Sequence, residues 1–329
     1  MGVLRWVAAK IGAVILVAWV VATFVFFALR ASGNPLEAIL GGPGSQASAE
    51  AVEQATRDYG LDQPLFMQYF AQLWRVATFQ LGDSYGRKQP VAELIGAQLP
   101  STVVLAVLAL TLAWVLALGA IALSIRTRGP IAKVINAFFR GGEILASVLP
   151  SFWLGAVLIV VFASWWQLFP ATSAGFAPSS LVLPVFTLAI PIAGFLGQIM
   201  RGGLDEATSA PFATTARARG ASETRVFWMH TLRHAALPAI SLSGWAFGSL
   251  LSGAVVVEAL FARPGLGRLL QDAANTRDVP LVIGAVLVVA VLYVVIITIA
   301  DLIERAVDPR TRQSAWRVHR KAVEEAVAA

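Results

Sequence analysis

The chain has 329 residues, 57% of them hydrophobic and only 13% charged, with a net charge of +6. Soluble domains carry about a quarter charged residues, so this composition and a mean hydropathy of +0.73 exclude an ordinary soluble globule and point to a bilayer. The absence of cysteine excludes a disulfide framework, a thiolate metal site and a thiol nucleophile. The basic residues lie at the ends of long apolar runs rather than on one solvated face, which argues against nucleic acid as a partner.

A hydrocarbon core of about 30 Å needs roughly 20 apolar helical residues. Stretches free of Asp, Glu, Lys and Arg cover 11–29, 99–125, 144–200, 235–257 and 279–300. The third is long enough for two spans, divided near Trp165, Trp166, Pro170 and the Ser/Gly/Pro-rich stretch 171–180. The expectation is an all-α integral membrane protein of six transmembrane helices, at about 7–29, 99–125, 141–165, 181–200, 236–258 and 280–303. Arg5 and Lys10 before the first run also suit a secretory signal, but the run exceeds the roughly 7–15 residues of a signal core and reads as a retained span.

Orientation follows from Lys and Arg, because basic loops stay cytoplasmic. With the N-terminus inside, most of the 25 basic residues fall in cytoplasmic segments. Both termini are then cytoplasmic, 304–329 is a cytoplasmic tail, and 30–98 forms an external cap. In that cap, Ser48 suits the N-cap of a helix through Asp58 that stops at Gly60.

The cytoplasmic segment 201–236 is too long for a simple connection, and it carries helix punctuation. Ser209 and Pro211 suit an N-cap and an early-helix proline, Gly220 suits a C′ glycine, Ser222 suits a second N-cap, and Pro238 opens the fifth span. Two short helices joined at Ala218, Arg219, Gly220 and Ala221 are expected. The second carries Val226, Phe227, Trp228, Met229 and Leu232, too much apolar surface for a solvated loop. Either it lies in the headgroup layer or it docks a cytoplasmic partner.

The chemistry of an enzyme is missing. His230 and His234 have i, i+4 spacing but no glutamate beside His230 to complete a zinc-protease motif, and no phosphate-binding loop occurs. No catalytic residue, metal site or cofactor of this chain's own is expected. Glu143, Glu258 and Asp301 sit at span ends, where they read as boundary pairs, Asp301 with Arg305 at i, i+4. An ion-coupled secondary transporter should show mid-span charges as its coupling site, so that class is disfavoured, as is a purely structural membrane protein.

The loop Thr215, Ala216, Arg217, Ala218, Arg219, Gly220, Ala221, Ser222, with Arg225, His230, Arg233 and Pro238, resembles the cytoplasmic loop of binding-protein-dependent ABC permeases in their dipeptide, oligopeptide and nickel importer form. Val256, Val257, Glu258, Phe261 and Pro264 to Leu270 resemble that family's stretch after the fifth span. Leu99 to Thr102, Pro150 to Gly155, and Asp301 with Asp308, Pro309 and Arg310 match further blocks. The long loop after the first span resembles the B-type permease. Ala31 to Pro35 and Phe79 to Gly82 depart from the family's usual residues.

The resemblance implies a type I ABC importer permease fold with a cytoplasmic coupling-helix loop, in a bacterial inner membrane. It implies as partners a homologous second permease, two ATPase subunits that bind ATP and Mg, and an external substrate-binding protein. Di- or oligopeptides are the expected solutes, with nickel, metal chelates or opines as the alternative.

Overall fold

The structure, a computed structural model, describes residues 3–33, 36–40, 47–126 and 130–307. Among them the regular elements are helical: α1 (Val3–Ser32), α2 (Leu36–Ile39), α3 (Ala49–Asp58), α4 (Leu65–Ala77), α5 (Val91–Arg126), α6 (Pro130–Val148), α7 (Ser151–Leu158), α8 (Pro178–Ser209), α9 (Pro211–Ala218), α10 (Glu223–Val226), α11 (Leu232–Leu260), α12 (Leu266–Asn275) and α13 (Val279–Val307). π-helical turns continue α7 over Ile159–Trp165 and join α10 to α11 over Phe227–Thr231.

Five helical stretches are long and apolar enough to cross a bilayer: Ala8–Ala28, Val91–Ser124, Pro178–Ser209, Glu223–Leu260 and Val279–Ile303. The sixth candidate is bent. Lys133–Val148 and Ser151–Trp165 meet at 108°, so the stretch expected as one helix at 141–165 is two. Pro150 explains the break, because proline offers no N–H and drives the residue before it out of the helical region. Its own backbone is extended, with φ −63° and ψ 131°, and it caps α7.

Other helices overrun their expected limits. α5 starts at Val91 and carries Pro100 inside it. α8 continues through Arg201 to Ser209, and α11 begins before Pro238, which lies within the helix rather than opening it. Charge marks a span end only when the charge must reach water, and Arg201 is neutralised inside the protein, as shown below.

α8 is the bundle's axis. Its apolar window is 67% buried against 17% for α1, and it packs on α5, α6 and α11. Small residues permit the close approach that helix pairing in lipid relies on. Ala106, Ala109, Ala113 and Ala117 form a fully packed face on α5. On α8, a Cβ at Gly194 would stand 2.5 Å from the Glu143 carbonyl of α6.

A second core joins α1, the cap, α12 and α13 around Ala22, Val91, Leu266, Leu269 and Ile283. α3 is capped as its sequence indicates, with the Ser48 hydroxyl accepting from Ala51 N and Gly60 at φ +62°. α4 rests on α1 through Tyr69, whose hydroxyl lies 2.9 Å from Thr23 Oγ1 and whose ring meets Phe26 and Phe27.

Candidate coupling elbow and its anchorage

At Ser209 the chain leaves α8, turns at Ala210 and enters α9 with Pro211 in its first turn, where a missing N–H costs nothing. Ser209 does not cap α9. Its hydroxyl turns back to donate to the Glu206 carbonyl at 2.9 Å, because the extended Ala210 stands at the cap position. α9 ends in a Schellman turn: Gly220, at φ +81°, donates to Arg217 O at 2.9 Å, and Ala221 donates to Ala216 O at 3.1 Å. Ser222 then caps α10, its hydroxyl accepting from Arg225 N.

Arg217 closes this elbow from inside. Its Nε donates to Glu223 Oε1 at 2.9 Å and its Nη1 to the Thr208 carbonyl at 3.1 Å, fastening the end of α8 to the start of α10. The resemblance gives Arg217 no distinction from Arg219 and Arg225, whereas the geometry separates them. Arg219 and Arg225 are exposed and form no ion pair among the described residues. Glu223, absent from the expected set, belongs to the site; its pairing spans a turn, so no helical periodicity announces it.

The apolar residues of the second helix divide between two sides. Val226 and Phe227 are buried against the bundle, while Trp228 and Met229 are 55% and 62% exposed. Thr215, Ala218, Gly220, Ser222 and His230 are exposed with them, and Ala216 and Ala221 are half-buried. The elbow therefore exposes two cationic side chains, small residues and two large apolar ones. Arg233 and Pro238 are exposed further along, on α11 itself. His234 stacks on Phe212 at 4.5 Å and ties α11 to α9, and no group of metal-binding residues occurs among the described residues.

The elbow is anchored to the bundle by a buried ion pair. Arg201 Nε and Nη2 reach Glu143 Oε2 and Oε1 at 2.6 and 2.7 Å, and Nη2 also donates to Ser124 Oγ at 3.2 Å. α5, α6 and α8 are thereby joined at one point. Beyond it, Gly203 lets α8 approach α11, a Cβ there falling 3.0 Å from Ala235 Cα.

At the opposite end, two of the sequence blocks quoted above meet. Glu258 is fully buried and accepts from Thr102 Oγ1 at 2.5 Å and from the Gly267 and Arg268 amides at 2.8 and 3.1 Å. Thr102 Oγ1 accepts in turn from Leu266 N at 2.8 Å. Glu258 is thus not a boundary pair but the cap of α12, satisfying first-turn amides that would otherwise be buried without a partner. Asp301 pairs with Lys10 at 2.9 Å; the side chain of Arg305, its expected i, i+4 partner, lies outside the described residues, as do Asp308, Pro309 and Arg310.

Residues 131–313 match the family described as binding-protein-dependent transport system inner membrane component. A Brucella abortus protein named as a peptide transport system permease is 35% identical, over 94% of this chain and 98% of its own length. The oligopeptide transport system permease protein of Bacillus subtilis is 34% identical, over 85% and 90%. The glutathione transport system permease protein of Escherichia coli K12 is 31% identical, over 89% and 94%. Among solved structures, the inward-facing MetNI methionine ABC transporter shares the fold, with a TM-score of 0.53 and 18% identity over 67% of this chain and 98% of that one.

Proposed function

This chain belongs to the binding-protein-dependent transport system inner membrane component family, and on that premise we propose that it is the permease of an ATP-driven importer of short peptides, with the elbow at Gly220 as the part its ATPase grips. The elbow's surface carries the coupling assignment: Arg219 and Arg225 stand without ion-pair partners among the described residues beside exposed Trp228 and Met229. A partner groove with carboxylates and an apolar floor would complement all four. The names of the relatives support short peptides as the solute.

In this reading the chain is a non-catalytic subunit. Two ATPase subunits bind ATP and Mg, a homologous permease completes the pathway, and an external binding protein delivers the solute. Both termini and the elbow face the cytoplasm, and residues 47–90 of the cap face outward. Closure of the ATPases displaces α9 and α10. Arg217 passes the displacement to α8 as well as to α11, because it bonds both sides of the turn. The Glu143–Arg201–Ser124 junction carries it to α5 and α6, so that packed helices move as units between two arrangements.

Gly220→Val tests this. A β-branched residue at φ +81° meets a penalty of about 1–2 kcal/mol, and no neighbour lies within 4 Å of a Cβ there, so the distortion stays within the elbow. The reconstituted complex should assemble and keep its basal ATPase activity while losing most of the stimulation by loaded binding protein. Full stimulation in the assembled variant would refute the coupling role.

A further inference from the structure

The cap holds a cavity of about 290 Å³, open on one side to solvent, between α1, α3, α4 and the loop before α5, with Arg57, Asp58 and Arg75 at its exposed rim and Gln72 at its buried wall. Three guanidiniums line it, Arg30, Arg57 and Arg75, with Asp58 as the carboxylate among the lining groups. Arg57 is paired with Glu53, and Arg30 donates to Gln68. Arg75 forms no ion pair among the described residues. Gln72 also lines the cavity; it is only 6% exposed, and its amide nitrogen has no hydrogen-bond partner among the described residues. A buried donor left in that state costs about 1–3 kcal/mol.

We propose that this cavity binds a small oxyanion, a carboxylate or a phosphate, between the Arg75 guanidinium and the Gln72 amide. Guanidinium and amide groups together offer several N–H donors and no competing acceptor on the cation, the arrangement that recognises carboxylate and phosphate oxygens. A cavity this size lies at the lower limit for ligand sites and suits a small solute or one headgroup. Tyr85 completes the wall: burial pushes its phenol up, Arg75 and Arg30 pull it down, and the Asp278 carboxylate adds to the upward push. The site is at the far end of the bundle from the elbow and does not depend on the coupling role.

The purified full chain in an uncharged detergent, at ionic strength held constant with sodium chloride, supplies the test. Thermal unfolding is followed while inorganic phosphate, glutarate or a short-chain phosphatidylglycerol is added, since a ligand of the folded state raises the midpoint saturably. At least one probe should raise it. Arg75→Gln should shift the half-saturating concentration upward at least tenfold, and Arg87→Gln, outside the cavity, should leave it unchanged. Gln72→Leu should abolish the response while leaving the ligand-free midpoint equal or higher. A response to phosphate or glutarate assigns the site to a free solute, and a response to phosphatidylglycerol alone assigns it to a lipid headgroup. No response beyond that of chloride, or an undiminished response in both Arg75→Gln and Gln72→Leu, would overturn the proposal.

Discussion

Arg201 grips Glu143 through two parallel hydrogen bonds, Nε to Oε2 at 2.6 Å and Nη2 to Oε1 at 2.7 Å, with both side chains nine-tenths buried. Two packed helices, α6 and α8, thus share an ion pair about two turns before α8 reaches the elbow.

Breaking that pair from one side leaves a charge buried alone, which costs about 3–5 kcal/mol, whereas an apolar replacement of both partners is often near neutral. Glu143→Leu should therefore lower the unfolding midpoint of the purified chain sharply. Glu143→Leu with Arg201→Met should recover most of the loss. If the double variant is as unstable as the single one, the pair is not the source of the effect.

Thr102 serves two partners with one hydroxyl, donating to Glu258 and accepting from Leu266 N. Thr102→Val keeps the shape and strands both, at about 1–3 kcal/mol for each buried group left unsatisfied, while Thr102→Ser keeps the hydroxyl. Stability should fall markedly for valine and little for serine. Equal stability of the two would show that Glu258 caps α12 without this hydroxyl.

Adjacent glycines on α8 should respond in opposite directions. Nothing lies within 4 Å of a Cβ at Gly202, so Gly202→Ala should stabilise the helix by about 0.5–1 kcal/mol. At Gly203 the added carbon meets the Ala235 backbone, which a rotamer change cannot relieve. Gly203→Ala should destabilise the chain, and unfolding midpoints of the two variants measure the contrast directly.

The natural chain has no cysteine, so its orientation is testable with single introduced thiols. Asp62→Cys on the cap and Thr224→Cys on α10 are both at exposed positions. In intact cells a membrane-impermeant maleimide should label the first, and it should reach the second only after permeabilisation. The reverse pattern would invert the topology and remove the elbow from any cytoplasmic ATPase.

What the sequence disclosed was local. Capping needs one side chain and a few neighbouring amides, so Ser48, Gly60, Gly220 and Ser222 were readable from the order of residues alone. Ser209 misled because its hydroxyl had an equally good partner behind it on α8, and Pro238 misled because a helix already under way tolerates it. The larger misreadings came from treating each charge as a signal for water. Arg201 and Glu258 stay inside because Glu143, Thr102 and the α12 amides satisfy them; Glu143 and Thr102 lie far away in the sequence, and the amides, though only nine and ten residues on, are brought back by the turn between α11 and α12. The division of labour among Arg217, Arg219 and Arg225 was equally hidden, since only the folded turn brings Glu223 and the Thr208 carbonyl to one of the three.

The Lys10–Asp301 contact places the beginning of α1 beside the closing turns of α13. The route of the backbone through the bundle is therefore nearly a closed circuit, with its seam on the elbow side. A rearranged gene that bridged the seam with a flexible linker and opened the chain elsewhere, for example at exposed Gly175, would keep every helix beside its present neighbours.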